Sequence, residues 1–166
     1  MTAPGIPMLF QGQELLEDKW FSDQDPIDWK HLDHFNGINL LFKDLIHLRR
    51  NLKGKSSGLQ GQHTLIVHAN NIDKVFAMLR WKERPEDDGV LVVLNFSNTT
   101  FEEYKIGLPV SKAGELIFNS DWKGYSEKFD DSPVFPIEVH PEGYDNQPYH
   151  VNINLPAYGA LIYTFE

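Results

Sequence analysis

Cysteine is absent from the 166 residues, so disulfides, thiolate metal sites and a thiol nucleophile are all excluded. Basic residues are scarce. Fifteen Lys and Arg stand against twenty-four Asp and Glu, and a net charge of −9 repels both phosphate backbones and anionic bilayers. Neither nucleic acid nor a membrane is therefore expected as a partner. No apolar run approaches the ~20 residues needed to cross a bilayer, and no basic stretch followed by an apolar one opens the chain. What is present is ordinary globular composition, 41% hydrophobic and 23% charged, with aromatics at 13%. The length suits one domain plus a small appendage.

Residues 1–53 differ in character from the rest. The apolar run from Ile6 to Phe10 predicts one buried strand, and so abrupt an opening predicts a further domain upstream. An acidic, aromatic loop follows, with Glu17, Asp18, Trp20, Phe21, Asp23, Asp25, Asp28 and Trp29. From Phe35 the apolar residues Ile38, Leu41, Phe42, Leu45, Leu48 and Leu52 recur at spacings of three and four. That spacing predicts a helix over 35–53, with Asp33 as N-cap, Arg49, Arg50 and Lys53 at the negative end of its dipole, and Gly54 as terminator.

Residues 54–63, rich in Gly, Ser and Gln, read as a linker. Beyond them every candidate element is a strand: 64–69, 75–81, 90–96, 101–108, 115–118, 134–139, 150–155 and 160–165, separated by turn-forming residues. Such a series over 64–166 predicts an antiparallel β-sandwich. Val90 to Leu94 is apolar at every position and belongs in the centre of a sheet, whereas Phe101-Glu102-Glu103-Tyr104-Lys105-Ile106 mixes charges and belongs near an edge.

The order of these segments resembles the C-terminal part of the α-amylase superfamily. Gly5-Ile6-Pro7-Met8-Leu9-Phe10 followed by Gln11-Gly12-Gln13-Glu14 is similar to the last strand and loop of the family's (β/α)8 barrel. Asp25-Pro26-Ile27-Asp28-Trp29 and Leu45-Ile46-His47-Leu48-Arg49-Arg50 resemble its last loop and helix. The run ending Asn95-Phe96-Ser97, the Asn119-Ser120-Asp121 turn and the closing Leu155-Pro156-Ala157-Tyr158-Gly159-Ala160-Leu161-Ile162-Tyr163 resemble the all-β domain that follows the barrel. The first loop, the Asp-Trp pair and the Asn-Ser-Asp turn look most like 1,4-α-glucan branching enzymes. The stretch from about Glu138 to Tyr149 is the least family-like.

The resemblance implies a strand-loop-helix remnant of a barrel in 1–53, joined to an all-β domain. It also implies that the parent acts on α-glucans of starch or glycogen metabolism in the cytoplasm, as a glycosyltransferase or glycoside hydrolase without a cofactor. The family's chemistry sets two carboxyls about 5–5.5 Å apart across one glycosidic bond. Those groups precede the last barrel strand, so the resemblance implies that this chain carries no catalytic residue and is inert alone. In agreement, it contains Asp33-His34 but no His-Asp pair. The expected role is structural or accessory, and the expected partner is the missing N-terminal barrel. A carbohydrate-binding β-sandwich without a catalytic parent is the alternative, although it has no need of the segment before Gly54.

Four residues are candidates for touching sugar. Gln11 and Glu14 fall at the expected barrel mouth, where such folds place their sites. Trp122 and Tyr125 lie in the expected 119–132 hairpin and offer flat faces for a pyranose. No metal site is expected. The acidic loop lacks a regular Asp spacing, and His31 and His34 lack an evident third ligand. Without a barrel to pack on, the stripe Ile38, Leu41, Leu45, Leu48 and Leu52 must cover itself on the β-domain or on a second copy, which predicts a homodimer through helix 35–53.

Overall fold

The computed structural model describes residues 1–165. A long helix precedes eight strands, with a one-turn helix Pro85–Asp88 between the second and third: β1 His63–Asn70, β2 Val75–Trp81, β3 Val90–Asn95, β4 Phe101–Leu108, β5 Glu115–Asn119, β6 Val139–His140, β7 Tyr149–Leu155 and β8 Ala160–Thr164. They form a five-stranded sheet of order β1-β2-β3-β8-β5 and a three-stranded sheet of order β4-β7-β6, in which every pairing is antiparallel. The mainly β architecture predicted from turns and alternation is the one observed.

Period-two alternation sorts the side chains into two cores. Ala77 and Leu79 of β2, Leu91 and Val93 of β3, and Leu161 and Tyr163 of β8 face the small sheet, meeting Ile106, Leu108, Val151, Ile153 and Leu155. The intervening residues Met78, Val90, Val92 and Ile162 face the other way, with Leu59, Phe118 and Tyr125. β3 therefore lies between β2 and β8 and is buried on both faces. Conversely, β4 is an edge strand whose Glu102, Glu103 and Lys105 are exposed, and its register shifts between Phe101 and Tyr104.

The outer core is closed by α1, His31–Arg49, through Leu40, Leu41, Leu45 and Leu48. The helix starts four residues earlier than its apolar stripe predicts. Lys30 precedes it without a side-chain cap, and Asp33 sits in the first turn rather than at the cap. Phe35 is kinked out of helical geometry. The chain leaves the helix through Arg50, and Asn51 takes a left-handed φ of 51°. Gly37 is where the helix crosses the 119–132 hairpin. A Cβ there would lie 1.9 Å from the Tyr125 carbonyl oxygen, so only glycine permits the approach.

Three local expectations are corrected. Residues 6–10 form no strand, and Ile6 is 99% exposed. A strand needs neighbours for its N–H and C=O groups, and among the described residues none lies beside this run, so the strand of a barrel remnant is not confirmed. The segment 54–63 is packed rather than loose. It contains a 3₁₀ turn over Ser57–Gln60, with Ser56, Gly58 and Leu59 buried against the outer core. Finally, 134–139 supplies only an isolated bridge between Ile137 and Gly114 before the two-residue β6.

Two polar clusters pin the layers. His68 of β1 bonds Asp145 Oδ2 through Nδ1 (2.7 Å) and the Tyr104 hydroxyl of β4 through Nε2 (3.1 Å). Tyr104 in turn donates to Asp73 at 2.9 Å. This network bridges the two sheets, and burial together with the Asp73 carboxylate raises the Tyr104 pKa. On the opposite side Arg80, 1% exposed, reaches from β2 to the carbonyls of Thr2 (2.8 Å), Ala3 (3.2 Å) and Gly61. Arg49 of α1 holds the carbonyls of Met1, Ala3 and Gly5. Burial, reinforced by the neighbouring Arg49 cation, lowers the Arg80 pKa. Two guanidiniums thus tie the N-terminal segment to helix and sheet without a carboxylate.

Alanine ordinarily stabilises a helix by about 1 kcal/mol over glycine. Gly37→Ala is expected to do the reverse, lowering stability by about 1–3 kcal/mol because the hairpin must move away. Chemical denaturation measures the sign directly.

Candidate functional site

A cavity of about 580 Å³ opens between the C-terminal half of α1 and the outer edge of β5. Asp44, His47 and Leu48 of α1 line one wall, Lys53, Lys55 and Ser56 the end, and Leu116 to Asn119 with Trp122 and Tyr125 the other wall. Among the described residues β5 pairs with no strand but β8 and so forms the margin of its sheet.

The hairpin carrying the aromatics is built by the polar residues around them. Asn119 Oδ1 accepts from the Asp121 N–H at 2.9 Å. The Asp121 carboxylate accepts from the N–H groups of Asp130 (3.1 Å) and Ser132 (2.9 Å), and the Ala160 N–H donates to Ser120 Oγ at 2.7 Å. The Asn-Ser-Asp sequence thus serves as scaffolding. Trp122 lies edge-on to Tyr125, with ring centroids 5.0 Å apart, and remains 45% exposed. Its ring folds over Gly124, where a Cβ would come within 2.3 Å of the indole.

The two aromatics have different fates. Tyr125 is buried in the outer core beside Phe118, and its hydroxyl donates to Asp44 Oδ2 at 2.7 Å. Burial first, then the Asp44 carboxylate, raises its pKa. At 7% exposure it presents little of the flat face expected of a sugar platform, although it still borders the groove. Hairpin spacing alone could not reveal that a helix lies across the residue. Trp122 keeps the accessible face expected of it. Around it the groove offers two carboxylates (Asp44 and Glu115), one imidazole, two ammonium groups and an amide. Lys55 is engaged by Glu115 at 2.6 Å, an ion pair exposed at both ends and hence worth little.

Gln11 and Glu14 do not join this groove. Gln11 is exposed and lines a separate pocket of about 80 Å³ with Phe10, Trp20 and Phe21. Glu14 is half-buried in the short 3₁₀ turn Gln13–Leu15, whose Leu15 anchors it. The acidic loop beyond is organised by its own backbone. Glu17 Oε2 accepts from the Asp28 N–H at 2.9 Å, and Asp28 Oδ1 accepts from the Lys30 N–H at 3.0 Å. Those N–H groups hold both carboxyls below the ordinary range.

Among the described residues two groups could hold a metal: Glu17, Asp18 and His31, and His140, Glu142 and His150. The second was not anticipated, because its histidines meet only through strand register. No helix of the described residues is long and apolar enough to span a membrane.

Two antiparallel sheets with a helix closing the outer face make this an all-β domain. Residues 66–166 match the family described as Alpha amylase, C-terminal all-beta domain, and the chain belongs to that family. Over 168 residues it is 28% identical to the 1,4-alpha-glucan branching enzyme GlgB of Geobacillus stearothermophilus, covering 98% of this chain and 26% of that protein. The enzyme of the same name from Bacillus cereus (strain AH820) is 32% identical over 172 residues, covering 97% and 25%. The chain thus spans about a quarter of the length of these curated relatives. In fold it resembles a debranching enzyme of Nostoc punctiforme, with a TM-score of 0.52 at 11% identity over 78% of this chain and 21% of that one.

The Tyr125–Asp44 bond should be worth about 1 kcal/mol, since it is charge-assisted but partly solvated. Tyr125→Phe and Asp44→Ala are each expected to lower stability, and the double variant to lose less than their sum. A double-mutant cycle in urea measures the coupling.

Proposed function

We propose that the chain is the C-terminal accessory part of a branching-enzyme-like protein acting on α-glucan, and that catalysis resides in a barrel preceding it. The observation that carries this reading is the N-terminal segment. A strand-like run with Ile6 and Met8 in solvent and a loop with Trp20 97% exposed suit packing on a further domain. In that setting Gln11 and Glu14 would face the barrel mouth, and the β-domain would cover one end of the enzyme. The parent reaction would be a retaining displacement that passes a glucan chain to a sugar hydroxyl, or to water. The cytoplasm is the compartment this reading implies.

The groove at Trp122 is proposed as a secondary contact for the glucan chain. Its half-exposed indole would stack on the apolar face of a pyranose, while Asn119, His47 and Lys53 would reach hydroxyls. An electrophoretic test follows. Glycogen cast in a native gel is expected to retard the chain, and Trp122→Ala is expected to abolish the retardation. Mobility indifferent to glycogen would remove the groove from the proposal.

A homodimer through helix 35–53 is the second reading, and one observation favours it: no residue of α1 is fully buried, and Leu52 remains 53% exposed. Light scattering across a concentration series is expected to show a rise toward twice the monomer mass. A constant monomer mass would mean that the chain's own sheet covers the helix sufficiently.

A further inference from the structure

The second metal-capable cluster takes His140 and Glu142 from the least family-like stretch of the sequence and His150 from the strand that follows it. β6 pairs with β7 at only two positions, Val139 with Val151 and His140 with His150. Side chains directly opposite on an antiparallel pair have Cβ atoms about 4.5–5.5 Å apart. The two imidazoles accordingly stack, with centroids 5.0 Å apart and planes inclined by 22°. Glu142 follows in the turn, and one ring nitrogen of each histidine and one Glu142 carboxylate oxygen all lie within 4.8 Å of one another.

His150 is 5% exposed, and its Nδ1 bonds the Glu142 carbonyl oxygen at 2.7 Å. In the neutral ring that bond places the proton on Nδ1 and the lone pair on Nε2. This is how a metal-binding histidine is oriented: one nitrogen donates to a carbonyl while the other faces the cation. Among the described residues no hydrogen bond occupies Nε2. His140 is half-buried and Glu142 exposed, so both can turn toward a cation that His150 anchors. Convergence is required, since Zn–N and Zn–O bonds of about 2.0–2.2 Å bring ligand atoms closer together than they stand now.

We propose that His140, Glu142 and His150 form a binding site for a divalent cation of the zinc type. Two imidazoles and one carboxylate suit a borderline metal. Calcium and magnesium prefer oxygen ligands throughout, and three protein ligands leave a position for water. The other cluster is less suited, because Glu17 already accepts the N–H groups of Asp28 and Lys19.

The role is mechanical. Two residue pairs join β6 to β7, and the turn after β6 carries Asp145 and Asn146 at left-handed φ of 53° and 58°. Asp145 is the acceptor that ties His68 and the Gly107 N–H (3.0 Å) to this turn. A metal on the three residues would clamp the turn and, through Asp145, steady the contact between the sheets. By linkage, a metal that binds only the folded chain raises its stability.

The test is calorimetric titration of ZnCl2 into the whole chain in a buffer free of chelators, with MgCl2 in parallel. One equivalent of Zn²⁺ is expected to bind and to raise the melting temperature, while Mg²⁺ does neither. His140→Ala and Glu142→Gln, at positions exposed enough to keep the fold, are each expected to weaken binding at least about tenfold. Co²⁺ should give visible d–d bands in the wild-type chain that His140→Ala abolishes. Zinc binding unchanged in both variants, which would place it at Glu17, Asp18 and His31, would overturn the proposal. So would the absence of saturable binding.

Discussion

Burial of β3 on both faces is the constraint on which the rest of the molecule depends. Each of its apolar residues points into one of two cores, so the five-stranded sheet cannot expose either side. Leu91 and Val93 require a second sheet, and β4, β7 and β6 provide it. Val90 and Val92 require something else, and α1 with the turn at Leu59 provides that. Fully burying one such side chain is worth about 1.5–3 kcal/mol. Helix and sheet are therefore one structural unit rather than a domain and its appendage.

The groove is a consequence of that docking. α1 crosses the sheet close enough at Gly37 to touch the 119–132 hairpin, then leaves room beside β5 further along. The contact that brings Tyr125 to Asp44 also removes Tyr125 from the surface, leaving Trp122 as the accessible aromatic. Polar ties perform the same service at the periphery. Arg80 and Arg49 hold the first residues through carbonyls, and His68 with Asp145 holds the turn between β6 and β7.

Much of this was legible beforehand, for physical reasons. β2, β3 and β4 are rich in apolar, β-branched and aromatic residues and bounded by turn residues, and the limits read from them agree with those observed within one residue. β3 announced its central place because no position in it was polar before Asn95. What could not be read depended on partners remote in sequence. Ile6 to Phe10 has the composition of a strand but no neighbouring strand. The Gly- and Ser-rich stretch after Gly54 looked loose because its packing relies on Arg80 and Val90, far along the chain. The exposure of Trp122 could be expected from its place in a polar hairpin, whereas burial of Tyr125 required knowing where α1 lies. The pairing of His140 with His150 required the register of β6, which two residues do not declare.

The account rests on α1 being docked on the sheet of its own chain. Native-state amide hydrogen exchange tests this most directly, because protection reports the free energy of local opening. If the helix closes the outer core, amides from Leu41 to Leu48 open together with those of β3 and share their free energy. Exchange of α1 at the rate of a frayed helix, while β3 stays protected, would contradict the account.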